Sequence, residues 1–323
     1  MKAVVLRRPG APEELALTEM QPPSAGPGRV LIRVRAAGVG FADLLVRQGR
    51  YPGSYPLPAV PGTEVAGVVE AVGQGVVHVA PGDRVMAMLP PGGGYAEQCA
   101  AEGAHVFPLP EGMGFADGAA FLVAFLSAFI PLHYQAQVAP GSVVMVHAAA
   151  GGVGSAAVQL ARQMGARVAA TAGSEEKVAV ARSLGAEVAV NYRTPDFIER
   201  LREATGGVDT VLDTVGGMVF EPSLKLLKPL GRLVIIGFAG GAQPPVDTAM
   251  LVGRNIGVEG FYLGRLIART PDLVKQAAEA VISLWRAGEV RPLVGVRFPL
   301  GEAAAAHRLI EERRSIGKVV LEP

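Results

Sequence analysis

A single cysteine, Cys99, and a single tryptophan, Trp285, stand among 323 residues, with two asparagines, Asn191 and Asn255, and only 6% aromatic residues. One cysteine excludes an intramolecular disulfide and any four-cysteine zinc site. No cation stands out beside Cys99 in "YAEQCAAEG" to lower its pKa, so a packing role is expected rather than reactivity. An excess of either charge is also missing: 30 basic residues meet 29 acidic ones, a net +1. That balance gives no general attraction to nucleic acid or to an acidic membrane. The five histidines, His78, His105, His133, His147 and His307, are scattered, with no pair at metal-binding helical spacing. Long apolar runs are absent too. The longest, Phe121 to Leu132, is about half the roughly 20 residues that span a bilayer, and reads as a core helix. The apolar start Met1 to Leu6 meets Arg7-Arg8-Pro9-Gly10 too soon for a signal peptide, which predicts a cytoplasmic protein. Arginine (24) far outnumbers lysine (6), a bias compatible with a hot habitat.

What is present falls into two textures. Residues 1 to about 120 are rich in Gly, Pro and Val, with short runs such as Val30-Leu31-Ile32-Arg33-Val34 cut by turn dipeptides such as Pro61-Gly62 and Pro81-Gly82. This predicts coiled or barrel-like β structure. From about residue 140, runs apolar on both faces (143–146, 168–171, 188–190, 208–212, 233–236 and 256–261) are separated largely by helix-length segments. That alternation predicts a parallel sheet covered on both sides. Pro195 after Thr194 and Pro271 after Thr270 read as first-turn prolines behind threonine caps. After about residue 265 a long helix, a short strand, a helix from Glu302 and a last strand at Lys318 to Leu321 are expected.

The stretch "HAAAGGVGSAAVQLAR", 147 to 162, places Gly151, Gly152 and Gly154 where a strand gives way to a helical pattern. Free N–H groups at a helix start, and its dipole, favour an anion, and glycines let the backbone approach a pyrophosphate. The fingerprint G-x-G-x-x-G is matched imperfectly, since Ala149 takes its first position. An NAD site usually carries Asp or Glu about 20 residues further on, at the end of the second strand. Here Ala172-Gly173-Ser174 occupies that place. Glu175 and Glu176 suit a helix's first turn, but Lys177 opposes the dipole unless an anion binds beside it. The 2′-phosphate of NADPH is such an anion, and Ser174 either caps the helix or donates to the same phosphate. NADPH is favoured over NADH.

The ordered set "AAAGGVGSAAVQLAR", "PGTEVAGVVEAVG" (61–73), "GDRVMA" (82–87), "DTVGG" (213–217), "IIGFAG" (235–240) and "GKVVL" (317–321) resembles the zinc-independent quinone oxidoreductase and ζ-crystallin branch of the medium-chain dehydrogenase/reductase superfamily. The resemblance covers essentially the whole chain. It implies an α/β fold with a Rossmann doubly wound parallel sheet, 125–263, inserted into a GroES-like β-barrel catalytic domain, 1–124 and 264–323. It also implies NADPH in a cleft between them. The diphosphate would lie near Gly151, Gly152, Val153 and Gly154, the 2′-phosphate near Ser174, Lys177 and Tyr192, and the nicotinamide near Val215, Gly237 and Phe238. Tyr192 has an alternative as a strand-end surface aromatic.

Where zinc-dependent alcohol dehydrogenases of this fold carry a cysteine and a histidine, this chain has Gly40 and Thr63, and no metal is expected. Without a Lewis acid, reduction of an already electrophilic acceptor suits the chain better than alcohol oxidation. Close relatives carry Asn in a "VNF" motif where this chain has Gly40 in "VGF", and often a tyrosine where it has Leu45. Phe41, Tyr51, Leu45 and the loop 91–95 are expected to line a flat, apolar pocket suited to a quinone or another conjugated carbonyl. Tyr51 stacks on a ring or belongs to an ordinary Tyr-Pro-Gly turn. Asp43 is expected to make structural hydrogen bonds. Three functions follow: a quinone reductase, an alkenal or enone double-bond reductase, and a non-catalytic NADPH-binding protein. The last strand of the sheet, 256–261, leaves an edge across which the family commonly dimerises, so a homodimer is expected.

Overall fold

The computed structural model describes residues 1–51, 55–241 and 245–323. The chain divides into two compact units. The first comprises Met1–Val123, Ile267–Ile282 and Pro292–Pro323, and the second Ala124–Leu266 and Ser283–Arg291. The division falls within the helix Pro271–Arg286.

The first unit is built of strands β1 (Lys2–Leu6), β2 (Leu15–Glu19), β3 (Arg29–Val39), β4 (Glu64–Val72), β5 (Arg84–Met88), β6 (Gln98–Glu102) and β7 (Val106–Pro108). Alternation makes β3 its spine: Val30, Ile32, Val34 and Ala36 are buried while Arg33 and Arg35 face solvent, the period of two that a half-buried strand requires. Antiparallel pairing joins β3 to β4, β4 to β5 and β5 to β7, and β6 also pairs with β3. The core gathers Val4, Leu6, Val30, Ile32, Leu44, Val65, Val85 and Tyr95.

The second unit holds β8 (Val143–Val146), β9 (Arg167–Ala172), β10 (Val188–Asn191), β11 (Val208–Asp213), β12 (Leu227–Ile235) and β13 (Gly257–Gly260). They form one parallel sheet in the order β10-β9-β8-β11-β12-β13. The chain starts in the middle, runs outward to β10, then returns to β11 and runs outward the other way. The order therefore reverses between β8 and β11, the point at which doubly wound sheets open a crevice beyond their strand ends. All of β8 is buried, and the helix Gly152–Gln163 packs on the sheet through Ala156, Ala157, Leu160 and Ala161. The chain then returns to the first unit, where β14 (Val294–Pro299) pairs parallel with β15 (Lys318–Glu322), which in turn pairs antiparallel with β3.

Two expectations need correcting. Pro195 does not open a helix: Thr194 Oγ1 donates back to Asn191 O at 2.8 Å, and the helix Phe197–Thr205 starts after Asp196. The apolar helical stretch also exceeds the run read from sequence. It extends over Phe115–Gln135, 21 residues that pass for a membrane span by length and composition, and its most apolar window is 83% buried within the protein. Pro271 does open its helix.

Candidate active site

In the second unit, four strand ends converge on one edge of the sheet. After β8, Ala148 takes φ 49°, the left-handed region that a non-glycine residue rarely adopts. The turn is closed by Gly151 N–H donating to Ala148 O at 2.8 Å, and the helix then opens on Gly152. Its first intrahelical bond runs from Ser155 N–H to Gly151 O, 2.8 Å. The N–H groups of Gly152, Val153 and Gly154 precede that bond, and no side chain caps this end. Gly154 is required by contact: a Cβ there would lie 2.2 Å from Ala148 O. Tight helix-to-strand packing thus aims a row of backbone donors beyond β8.

At the end of β9, Ser174 Oγ accepts from Lys177 N–H at 3.3 Å and caps the helix Glu175–Ser183. Lys177 stands close enough to Arg193 that, after burial, the neighbouring charge is the next cause lowering its ammonium pKa. From the end of β10, the hydroxyl of Tyr192 lies against Gly173, 2.7 Å from where a Cβ would stand. Beyond β11, Asp213 accepts from Val215 N–H and Gly216 N–H, both at 2.8 Å, through one carboxylate oxygen, while the other is buried without a hydrogen-bond partner. Asp213 O also receives Ile236 N–H at 2.7 Å, and Gly240 N–H reaches Val215 O at 2.6 Å. These bonds hold the 214–216 turn against the 236–241 loop, which carries Gly237 and the partly exposed Phe238.

In the first unit, Phe41 opens the helix Phe41–Arg47, and both Phe41 and Tyr51 are partly buried against the core. Gly40 precedes that helix with φ −114° and ψ 163°, an extended conformation open to any residue. Asp43 is 1% exposed and accepts from Gly40 N–H at 2.8 Å. Its pKa is pushed up to about 6, first by burial and then by Glu64, against the pull of the Gly40 N–H, of Lys318 and of the Tyr95 hydroxyl. Lys318 and Glu64 form a buried ion pair, and the other Glu64 oxygen accepts from Val123 N–H at 3.1 Å. Tyr95 does not line an open pocket. It is fully buried, its hydroxyl 3.1 Å from His307 Nε2. Leu45 is largely buried as well. Cys99 is buried, and burial pushes its thiol up to about 12, an inert group.

The residues bearing this geometry match two family descriptions. Residues 26–126 match the alcohol dehydrogenase GroES-like domain, and residues 152–280 match the zinc-binding dehydrogenase family. The chain is 37% identical over 319 residues to the synaptic vesicle membrane protein VAT-1 homolog of Rattus norvegicus, covering 94% of this chain and 78% of that one. It is 36% identical over 339 residues to the 2-haloacrylate reductase of a Burkholderia species, covering 99% and 98%. Among solved structures, the quinone oxidoreductase of Thermus thermophilus, described also in its complex with NADPH, superposes with a TM-score of 0.88 at 43% identity over 100% of both chains. The chain belongs to the medium-chain dehydrogenase/reductase superfamily, in its quinone oxidoreductase branch.

Within that superfamily fold, the sequence-derived cofactor residues lie on one sheet edge. Gly151, Gly152, Val153 and Gly154 follow β8, Ser174 and Lys177 follow β9, Tyr192 follows β10, and Val215, Gly237 and Phe238 follow β11 and β12. Phe41 and Tyr51 belong to the first unit. Sequence reasoning passed over Arg193 and Asp213. The first could have been read from the basic residue directly after Tyr192 in "NYR"; the second, in "DTVGG", became assignable only once its paired backbone bonds were seen. Tyr55, whose hydroxyl donates to Val60 O at 3.1 Å, was also missed. Among the described residues no three His, Cys, Asp or Glu side chains converge on a common metal position.

Proposed function

We propose that the protein is an NADPH-dependent quinone reductase that works without zinc. The observation that carries this reading is the end of β9. No carboxylate stands on Ala172-Gly173-Ser174, and Ser174, Lys177, Arg193 and Tyr192 gather beside it. Two cations where an NAD site needs an acid suit a 2′-phosphate.

The cradle fits a dinucleotide independently of that phosphate. Gly154 leaves no room for a Cβ, and the uncapped N–H groups of Gly152, Val153 and Gly154 suit a diphosphate. The backbone of Gly237 and Phe238, pinned by Asp213 and Thr214, would hold the nicotinamide. Bound NADPH would supply a hydride; the chain supplies orientation and exclusion of water. Phe41 and Tyr51 offer aromatic faces to a flat acceptor. Gly40 and Thr63, at the positions where zinc-dependent relatives carry ligands, bring no donor of the usual zinc set. An electrophilic acceptor needs none.

A second reading, reduction of an activated carbon–carbon double bond, is favoured by the likeness to a 2-haloacrylate reductase. Acceptor-dependent loss of NADPH absorbance separates the two. With 9,10-phenanthrenequinone, 1,4-benzoquinone and 3-penten-2-one as acceptors, the proposal expects turnover of the quinones. Turnover of the enone alone would replace it by the second reading. Tight NADPH binding with no turnover would leave a binding protein.

A further inference from the structure

Gly40 is not a glycine for the sake of its backbone, since its φ and ψ suit any residue. What its missing side chain leaves is space. A Cβ there would touch nothing closer than ordinary van der Waals distance, and its nearest atoms are Asp43 Oδ2 at 3.6 Å and Lys318 Nζ at 3.8 Å. The slot is one side chain deep, with a carboxylate and an ammonium at its floor.

The floor is held from three elements. Asp43 comes from the helix after β3, Glu64 from β4 and Lys318 from β15. Both Glu64 oxygens are engaged, one by the Lys318 ion pair and one by Val123 N–H. An ammonium has three N–H donors, and Glu64 takes one. Asp43 Oδ1 is buried with no hydrogen-bond partner. The slot therefore offers a hydrogen-bond donor to an incoming oxygen atom.

Its charge decides which oxygen. Two carboxylates face one ammonium, so the floor carries an excess negative charge when Asp43 is ionised. The surrounding groups do not cancel it. Tyr95 and Tyr55 are held neutral by burial. His307, whose pKa burial lowers to about 3, is neutral at ordinary pH. Arg47 is ion-paired with Glu311 at 2.9 Å. A neutral carbonyl oxygen gains a hydrogen bond there, whereas a carboxylate meets like charge in a poorly solvated place, where electrostatic mismatch costs most.

We propose that the Gly40 slot is the carbonyl subsite of the acceptor: Lys318 Nζ donates to a neutral carbonyl oxygen, Asp43 and Glu64 position that ammonium, and carboxylate-bearing acceptors are rejected. The proposal rests on the reductase reading and narrows its substrates to uncharged conjugated carbonyls. Hydrogen bonding draws electron density toward that oxygen and makes the conjugated carbon more electrophilic, the part a Lewis acid plays elsewhere. Lys318 is then the catalytic residue of the subsite, and Asp43 and Glu64 are positioning residues.

The test compares wild type, Gly40→Ala and the paired variant Lys318→Gln with Glu64→Gln, which avoids stranding a buried charge. Acceptors are 1,4-benzoquinone, cyclohex-2-enone and 2-chloroacrylate at pH 8. Wild type is expected to show kcat/KM for 2-chloroacrylate at least a hundredfold below that for the neutral acceptors. Gly40→Ala, which fills the slot without a clash, is expected to raise KM for the neutral acceptors tenfold or more, with Tm and the Kd for NADPH unchanged. The paired variant is expected to do the same and to lower kcat as well. Asp43→Asn should raise kcat/KM for 2-chloroacrylate, and wild type should show that gain as pH falls through about 6 while the variant does not. A KM within twofold of wild type in Gly40→Ala, or equal use of 2-chloroacrylate, overturns the proposal while leaving the reductase reading intact. Should no acceptor be reduced, that reading fails, and saturation-transfer NMR of cyclohex-2-enone without cofactor still tests the slot. A signal lost in Gly40→Ala supports the subsite, and a signal retained overturns it.

Discussion

Lys177 and Arg193 share one side of the sheet edge although their charges repel, and that proximity lowers the Lys177 pKa. Such a pair is costly alone and useful beside an anion. Lys177→Ala is therefore expected to weaken NADPH at least tenfold and NADH less than threefold, read by titrating each cofactor's fluorescence; equal losses would sink the 2′-phosphate assignment. The sequence made Ser174, Lys177 and Tyr192 legible because a cation in a helix's first turn violates the dipole preference. Arg193 carried no such anomaly, since a basic residue after a strand is ordinary. Asp43 was legible as a structural acceptor, and Gly40 N–H is its donor. Its buried surroundings were not, because Glu64 and Lys318 reach it from sequence positions 21 and 275 residues away. Asp43 also leaves a mark on stability. Its folded pKa, about 6, exceeds the ordinary aspartate value of 3.8. The native state thus holds a proton that the unfolded chain releases. That contribution is fully present below about 3.8 and is lost as pH rises through about 6. Relative to wild type, Asp43→Asn should gain in Tm as pH rises from 4 to 7, and parallel Tm curves would contradict the assignment.

At the scale of the element, the strand–turn–helix at 143–163 was read correctly because strand, glycines and helical spacing agree. Its demands on Gly151 and Gly154 differ. A Cβ at Gly154 would lie 2.2 Å from Ala148 O, a backbone atom that no rotamer change can move, while one at Gly151 would lie 3.2 Å from the same oxygen. Gly154→Ala should therefore destabilise by about 2 kcal/mol, within the usual cost of overpacking, and weaken NADPH. Gly151→Ala should do less of both. Denaturant titration of the two variants checks the order. The helix expected at Pro195 failed for a local reason. A proline after threonine suits a first helical turn, but Thr194 Oγ1 satisfies itself on Asn191 O, and the helix waits for Asp196. The stretch Phe115–Gln135 was underestimated because Gly118 and Gln135 lie outside the continuous apolar run by which it was judged.

For the whole molecule, the change of texture near residue 120 reflects two ways of burying strands. The first unit alternates buried and exposed residues along β3, as an antiparallel sheet with one wet face does, while β8 is buried on both faces, as a parallel sheet under helices must be. How the last sixty residues divide was less readable, because a helix pattern such as Pro271–Arg286 carries no mark of the core it packs against. Strand β13 ends the parallel sheet, and an edge of this kind invites pairing. We propose a homodimer across it: light scattering at micromolar concentration should give twice the chain mass, and the mass of one chain would refute the proposal. The central claim is hydride transfer to a quinone from NADPH in preference to NADH, and the ratio of kcat/KM for the two cofactors with 9,10-phenanthrenequinone tests it most directly. The account predicts quinone-dependent oxidation with NADPH favoured at least tenfold. Equal use of the two cofactors, or no quinone-dependent oxidation at all, would contradict it.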